Sequence, residues 1–206
     1  RHLRSNFMCY INGNCKPLKL ITMIYKLVMK ILGWRIDKNL PVEFKRCVLI
    51  AAPHTSNWDF IYTMLAFKIL KVPYKFTIKK EWFRFPFNLI MKPLGGVSID
   101  TNSKKNQYVK MMSSFFKLNN EFIMTITPEG SRSKVKQWKS GFYQIAKKAN
   151  VPICLGYVDY KNKIAGVGGV IFTSENIEQD MKKIMDFYRT KTAKFPDKFS
   201  IDLRYS

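Results

Sequence analysis

The hydrophobic pattern of this chain changes period again and again, with short unbroken apolar runs alternating with longer stretches whose apolar residues recur at helical spacing. Residues 48–52, VLIAA, read as a buried strand closed by Pro53. Residues 57–70, carrying Phe60, Ile61, Met64, Leu65, Phe67, Ile69 and Leu70, read as the helix that follows. Further strands are expected at 74–78, 95–99, 121–127 and 152–160, with helices at 103–118 and 141–149. A turn at Asn162 leads into a strand at 164–172 and so predicts a hairpin, and 175–189 is a last helix with Ser174 as its N-cap. Alternating strands and helices with one terminal hairpin predict an α/β fold: a single domain whose mixed, mostly parallel β-sheet is flanked by helices. The chain has 206 residues, 47% of them hydrophobic and 15% aromatic, enough to enclose one core and too much for a disordered chain.

Charge narrows the partners. Lys and Arg number 36 against 14 Asp and Glu, a formal net charge of +22 that favours a polyanionic surface, either nucleic acid or an anionic membrane leaflet. A solvated lysine-rich surface is the plainer alternative. Lysines such as Lys26, Lys30, Lys68 and Lys71 interrupt every apolar stretch, which argues against a polytopic membrane protein. Between residues 18 and 36, Leu20, Ile21, Ile24, Tyr25, Leu27, Val28, Ile31 and Leu32 recur at helical spacing among Lys19, Lys26, Lys30 and Arg35, which predicts a basic amphipathic helix. Such a helix either lies in a headgroup layer or packs its stripe on the domain's own core. Residues 1–40 are accordingly read as an N-terminal segment with a membrane-associating helix, and 41–206 as the domain proper. The first residues lack the apolar stretch of a secretory signal, so the expected location is cytoplasmic. Cys9, Cys15, Cys47 and Cys154 have no metal-ligand spacing, and His2 and His54 do not join them, so no metal site and no disulfide scaffold are expected.

Three stretches carry chemistry. The first is PHTSNWD, 53–59, at the carboxyl end of a predicted strand, where α/β sheets place ligand sites. On one continuous helix His54 and Asp59 would stand about 140° apart. With His54 in the turn and Asp59 in the first helical turn, the carboxylate reaches back to the imidazole, holds one ring nitrogen as N–H and leaves the other free to take a proton from a hydroxyl. Ser56 followed by Asp59 is equally a capping-box helix start, and the two readings are compatible. The second stretch is TPEGSRS, 127–133, a turn after a predicted strand that offers Glu129 and Arg132 at the sheet's carboxyl edge. Arg132 suits a phosphate, while a surface Glu–Arg pair at a tight turn is the alternative. The third is LGGVSID, 94–100, whose paired glycines allow a close backbone approach or simply a turn.

Together these stretches resemble the lysophospholipid acyltransferase family, the 1-acyl-sn-glycerol-3-phosphate O-acyltransferases and their relatives. The likeness lies in the order His54 and Asp59, IKKEWFRFPF from Ile78, GGVSID, PEGSRS, Lys139-Ser140-Gly141 and Val151-Pro152-Ile153, across residues 48–160. The resemblance implies a glycerolipid acyltransferase-like fold over 41–206, with His54 as general base and Asp59 as its orienting partner. It also implies direct attack of an acceptor hydroxyl on the thioester of acyl-CoA or acyl carrier protein, with no acyl-enzyme. Lys79, Glu129, Gly130, Ser131 and Arg132 would then hold the acceptor's polar head. It implies no cofactor beyond the acyl donor, a lysolipid acceptor, and peripheral attachment to an anionic membrane at the cytoplasmic face, with FRFPF, 83–87, and the amphipathic helix as contact surfaces. Two positions depart from the family pattern: Thr101 stands where an Arg follows the Gly-rich strand's Asp, and Thr127 where a bulky apolar residue precedes Pro-Glu-Gly. Thr101 removes a fixed cation from the phosphate site, which opens the acceptor to lyso-aminolipids and other hydroxyl compounds. The competing functions are a basic nucleic-acid-binding protein, motivated by charge alone with no RNP, KH or finger motif, and a catalytically inactive membrane-surface protein on the same fold. No specific nucleic acid is expected as partner. The chain has no G-x-S-x-G elbow, which argues against a serine hydrolase.

Overall fold

The computed structural model describes residues 16–72, 74–79, 84–85, 88–91, 95–99 and 105–205. Within them run α1 (Lys16–Ile31), β1 (Arg35–Ile36), β2 (Arg46–Ala51), α2 (Asn57–Leu70), β3 (Tyr74–Lys79), a short α3 (Asn88–Met91), β4 (Gly96–Ile99) and α4 (Lys105–Leu118). β5 (Phe122–Ile126), α5 (Gly141–Ala149), β6 (Ile153–Asp159), β7 (Ile164–Ile171) and α6 (Ile177–Arg189) complete the order. The strands make one sheet in the order β1-β7-β6-β2-β5-β3-β4. β6 and β7 are the expected antiparallel hairpin, and the other neighbouring pairs are parallel. This is the mixed, mostly parallel α/β sheet that the alternating pattern predicts.

The unbroken apolar run of β2 follows from its place in the middle of the sheet, covered on both faces. Val48 and Ile50 join Met124, Ile153 and Leu155 against Met112 and Phe116 of α4, Phe142 and Ile145 of α5, and Met181, Ile184 and Tyr188 of α6. Cys47 and Leu49, on the opposite face, pack with Ile123, Cys154, Phe44, Phe67 and Phe76. A third cluster, Met29, Trp34, Tyr62, Ala66, Val158 and Ala165, ties α1 and α2 to the hairpin. Trp34 and β1, both inside the segment drawn as residues 1–40, are therefore part of the core and the sheet.

Two sequence expectations change. The amphipathic helix drawn to residue 36 stops at Ile31, because Gly33 takes a left-handed φ of 75°. Gly33 donates to Lys30 O and Trp34 to Met29 O, the paired bonds of a Schellman stop, and Arg35 and Ile36 leave the helix to pair with β7. The last helix is capped by Asn176, whose side chain accepts the Gln179 N–H at 3.0 Å, while Ser174 bonds Asn176 one step earlier. Among the described residues no helix is long and apolar enough to cross a membrane.

Candidate functional site

The link from β2 to α2 builds the site. Ser56 caps α2: its Oγ accepts the Trp58 N–H at 3.2 Å, and the Asp59 carboxylate accepts the Ser56 N–H at 2.7 Å, so the capping box read from the sequence is present. The same oxygen, Oδ2, accepts the Thr55 N–H at 2.7 Å and faces His54 Nδ1 at 3.6 Å, an ion-pair distance longer than a hydrogen bond. The turn thus brings His54 and Asp59 together, as the sequence expectation requires. The Asp59 side chain is 5% exposed and that of His54 is 23% exposed. Burial, the largest influence, lowers the His54 pKa below its ordinary 6.5, Asp59 opposes that, and Arg132 adds to it. The imidazole is therefore neutral at neutral pH, with Nε2 free when Nδ1 carries the proton toward Asp59.

The parallel partner strands bring in the rest. β5 lies beside β2, with Ile50 level with Ile126, so the turn after β5 meets the turn after β2. Glu129 is buried there, and its Oε1 accepts the His54 N–H at 2.8 Å. Instead of facing solvent at the sheet edge, Glu129 holds the backbone of the histidine. Burial pushes its carboxyl up to about 8, which the His54 N–H partly offsets and the charge of Asp59 reinforces. Gly130 takes a left-handed φ of 69°, and the Lys139 chain lies where a side chain would be. Ser131 is exposed and its hydroxyl bonds Ser133 O. Arg132 is exposed, and its Nη1 donates to Asn57 Oδ1 in the first turn of α2.

β6, on the other side of β2, carries a residue that sequence reasoning left unassigned. Tyr160, just past the end of this strand, donates its hydroxyl to Asp59 Oδ1 at 2.6 Å. Asn57 is the second such residue, as the partner of Arg132. Neither carries a local sequence signal, since both contacts join residues far apart in the chain. Lys79 ends β3, but its side chain lies outside the described residues. So do Phe83, Pro86 and Phe87 of the FRFPF stretch, and Leu94, Asp100, Thr101 and Lys104. Phe85 and Leu89, at 79% and 65%, are exposed.

His54, Asp59, Asn57 and Arg132 sit on a cavity of about 540 Å³ that runs between α2 and the sheet. Away from these groups its walls are mostly apolar, with Met64, Phe67, Leu70 and Phe76 among them beside Thr63, Thr125 and Thr127. Small residues, Ala51, Gly156, Ala165 and Gly166, are part of its lining, and Gly156 packs so closely on β2 that a Cβ there would lie 2.7 Å from the Ile50 carbonyl oxygen. The arrangement offers a neutral imidazole backed by a carboxylate, a guanidinium beside it, and a mostly apolar cavity of about 540 Å³, the size of a small-molecule site. Among the described residues no three His, Cys, Asp or Glu side chains converge as metal ligands do.

A search of curated proteins finds no match. Among solved structures, the crystal structure of the 1-acyl-sn-glycerophosphate (LPA) acyltransferase PlsC from Thermotoga maritima is similar, with a TM-score of 0.56. The likeness covers 91% of this chain and 87% of that one at 18% sequence identity, which makes it a likeness of fold. A family model described as Acyltransferase matches residues 34–158, more than half of the chain. That span holds His54, Asp59 and the turn at 129–132, and on the strength of the match the chain belongs to the Acyltransferase family.

Proposed function

We propose that this protein transfers a fatty acyl group from a thioester, acyl-CoA or acyl carrier protein, to the hydroxyl of a lysophospholipid or related lysolipid at a membrane surface. The observation that carries the reading is the His54–Asp59 pair at the polar end of the mostly apolar cavity under α2. The acceptor hydroxyl gives its proton to His54 Nε2 as its oxygen attacks the thioester carbonyl. The imidazolium formed is stabilised by Asp59, the C–S bond breaks, and the leaving thiolate recovers the proton. No acyl-enzyme forms, and the cavity takes an acyl chain. Arg132, fixed by Asn57, and Lys79 hold the acceptor's anionic head, and Gly130 and Ser131 shape the turn that presents Arg132. Glu129 acts through the His54 backbone, which it holds.

Membrane attachment is supported by α1, where Leu20, Met23, Ile24, Leu27 and Ile31 are all exposed, at 50–74%, with Lys26 and Lys30 among them. The charge of +22 suits an anionic leaflet, and the cytoplasmic face of the cell membrane is the location it fits. The test is His54→Ala. Purified protein is incubated with labelled acyl donors and a panel of lysolipids, and the products are identified by mass spectrometry. Turnover should fall at least about 100-fold. Unchanged turnover in His54→Ala would refute the mechanism.

A further inference from the structure

We propose that Tyr160 is a positioning residue for the His54–Asp59 pair, its hydroxyl pinning Asp59 Oδ1 so that Oδ2 stays turned to the imidazole; this rests on the reading of that pair as the base. The argument starts from the two carboxylate oxygens. Oδ2 takes the Thr55 and Ser56 N–H groups and faces His54. Capping α2 therefore uses Oδ2 alone and gives no account of Oδ1. The side-chain torsion that turns a carboxylate has a broad minimum, so two bonds on one oxygen do not fix the plane of the group. The 2.6 Å bond from Tyr160 does.

Tyr160 is itself held from three elements. Its ring stands edge-on to Trp34, with centroids 5.0 Å apart, and edge-on to Tyr62 at 6.0 Å. Trp34 and Tyr62 stack on each other at 4.2 Å, both are buried, and the Tyr160 N–H donates to Thr192 O at 2.9 Å. Burial, then the bond to Asp59 and its charge, push the Tyr160 hydroxyl well above the ordinary tyrosine range, so it remains a donor wherever the protein is folded. Among the described residues, the ionisable groups about the imidazole are Asp59 from α2, Glu129 and Arg132 from the turn after β5, and Tyr160 behind the carboxylate.

The chain has two histidines, so proton NMR follows both imidazoles through a pH titration, and His54→Ala identifies the signal of His54. In Tyr160→Phe the carboxylate loses a donor and its charge concentrates toward His54. The His54 pKa should rise by about half a unit. kcat for acyl transfer should fall about 10-fold with both KM values unchanged. Tyr62→Phe, which removes a hydroxyl from the same aromatic cluster without touching Asp59, should match wild type in both readouts. An unmoved His54 titration in Tyr160→Phe overturns the proposal, whether or not kcat falls. Loss of cooperative unfolding in that variant also overturns it, by assigning Tyr160 to the fold. Full activity in His54→Ala would instead sink the base reading, and the titration would still report whether Tyr160 acts on the pair.

Discussion

Replacing Glu129 with Gln isolates the cost of keeping a carboxyl group under the turn that carries His54. Glu129 is 3% exposed, its Oε1 accepts the His54 N–H, and its buried Oε2 has no hydrogen-bond partner among the described residues. Its pKa is raised from 4.5 to about 8. Between those values the folded protein holds a proton that the unfolded chain has lost, so stability from this group is greatest below pH 4.5 and falls as pH rises through about 8. At about 1.4 kcal/mol for each pH unit between the two values, the fall is on the order of 5 kcal/mol. Glu129→Gln keeps a carbonyl oxygen for the His54 N–H and cannot ionise. Its amide NH2, unpartnered where Oε2 was, adds a penalty that does not vary with pH, so the slope and not the offset is the readout. Urea unfolding of both proteins at intervals from about pH 5 to pH 9 gives that slope. Wild type should lose stability relative to Glu129→Gln across the range. Parallel curves would show that Glu129 ionises freely and that the account of its burial is wrong.

Arg132→Ala should raise the acceptor KM about 10-fold to 100-fold with a smaller change in kcat, and should move the acid limb of the rate profile upward, because Arg132 helps to lower the His54 pKa. An unaltered acceptor KM would remove Arg132 from the binding site. Leu27→Asp combined with Ile31→Asp places charges at positions 56% and 74% exposed, so the fold should be kept while binding to anionic vesicles in co-sedimentation weakens about 100-fold or more. Wild-type binding should itself weaken with added salt. Equal partitioning of the two proteins would exclude α1 as the contact surface.

Local signals in the sequence located most of the framework. Helices α2 and α5 begin and end where the apolar spacing places them, and the capping box of Ser56 and Asp59 is what lets the histidine turn be read at all. Gly33 was an available stop signal that the lysine and leucine periodicity of α1 masked. The contacts that define the site's electrostatics were not legible, for a physical reason. Glu129 meets His54 because β5 pairs with β2, and Tyr160 meets Asp59 because β6 pairs with β2 on the other side. Strand order in a parallel sheet is set by how the helices pack over both faces, and no residue near Glu129 or Tyr160 encodes it.

The interval between His54 and Asp59 has its own explanation in the helix start. Ser56 is the N-cap, so Asp59 stands at the third helical position and His54 two residues before the cap. A carboxylate at the third position accepts the N–H of the cap, and here it also accepts that of Thr55, which curls the entering chain back over the first turn. The residue before Thr55 then arrives with its ring beside that carboxylate and its own N–H turned outward, where Glu129 takes it. A histidine one place later would commit its N–H to Asp59, as Thr55 does, and one place earlier it would stand at position 53, a residue further along the chain from that carboxylate. A single aspartate therefore serves as both helix cap and partner of the imidazole, and the four residues between the pair are the length of chain that spans this double use.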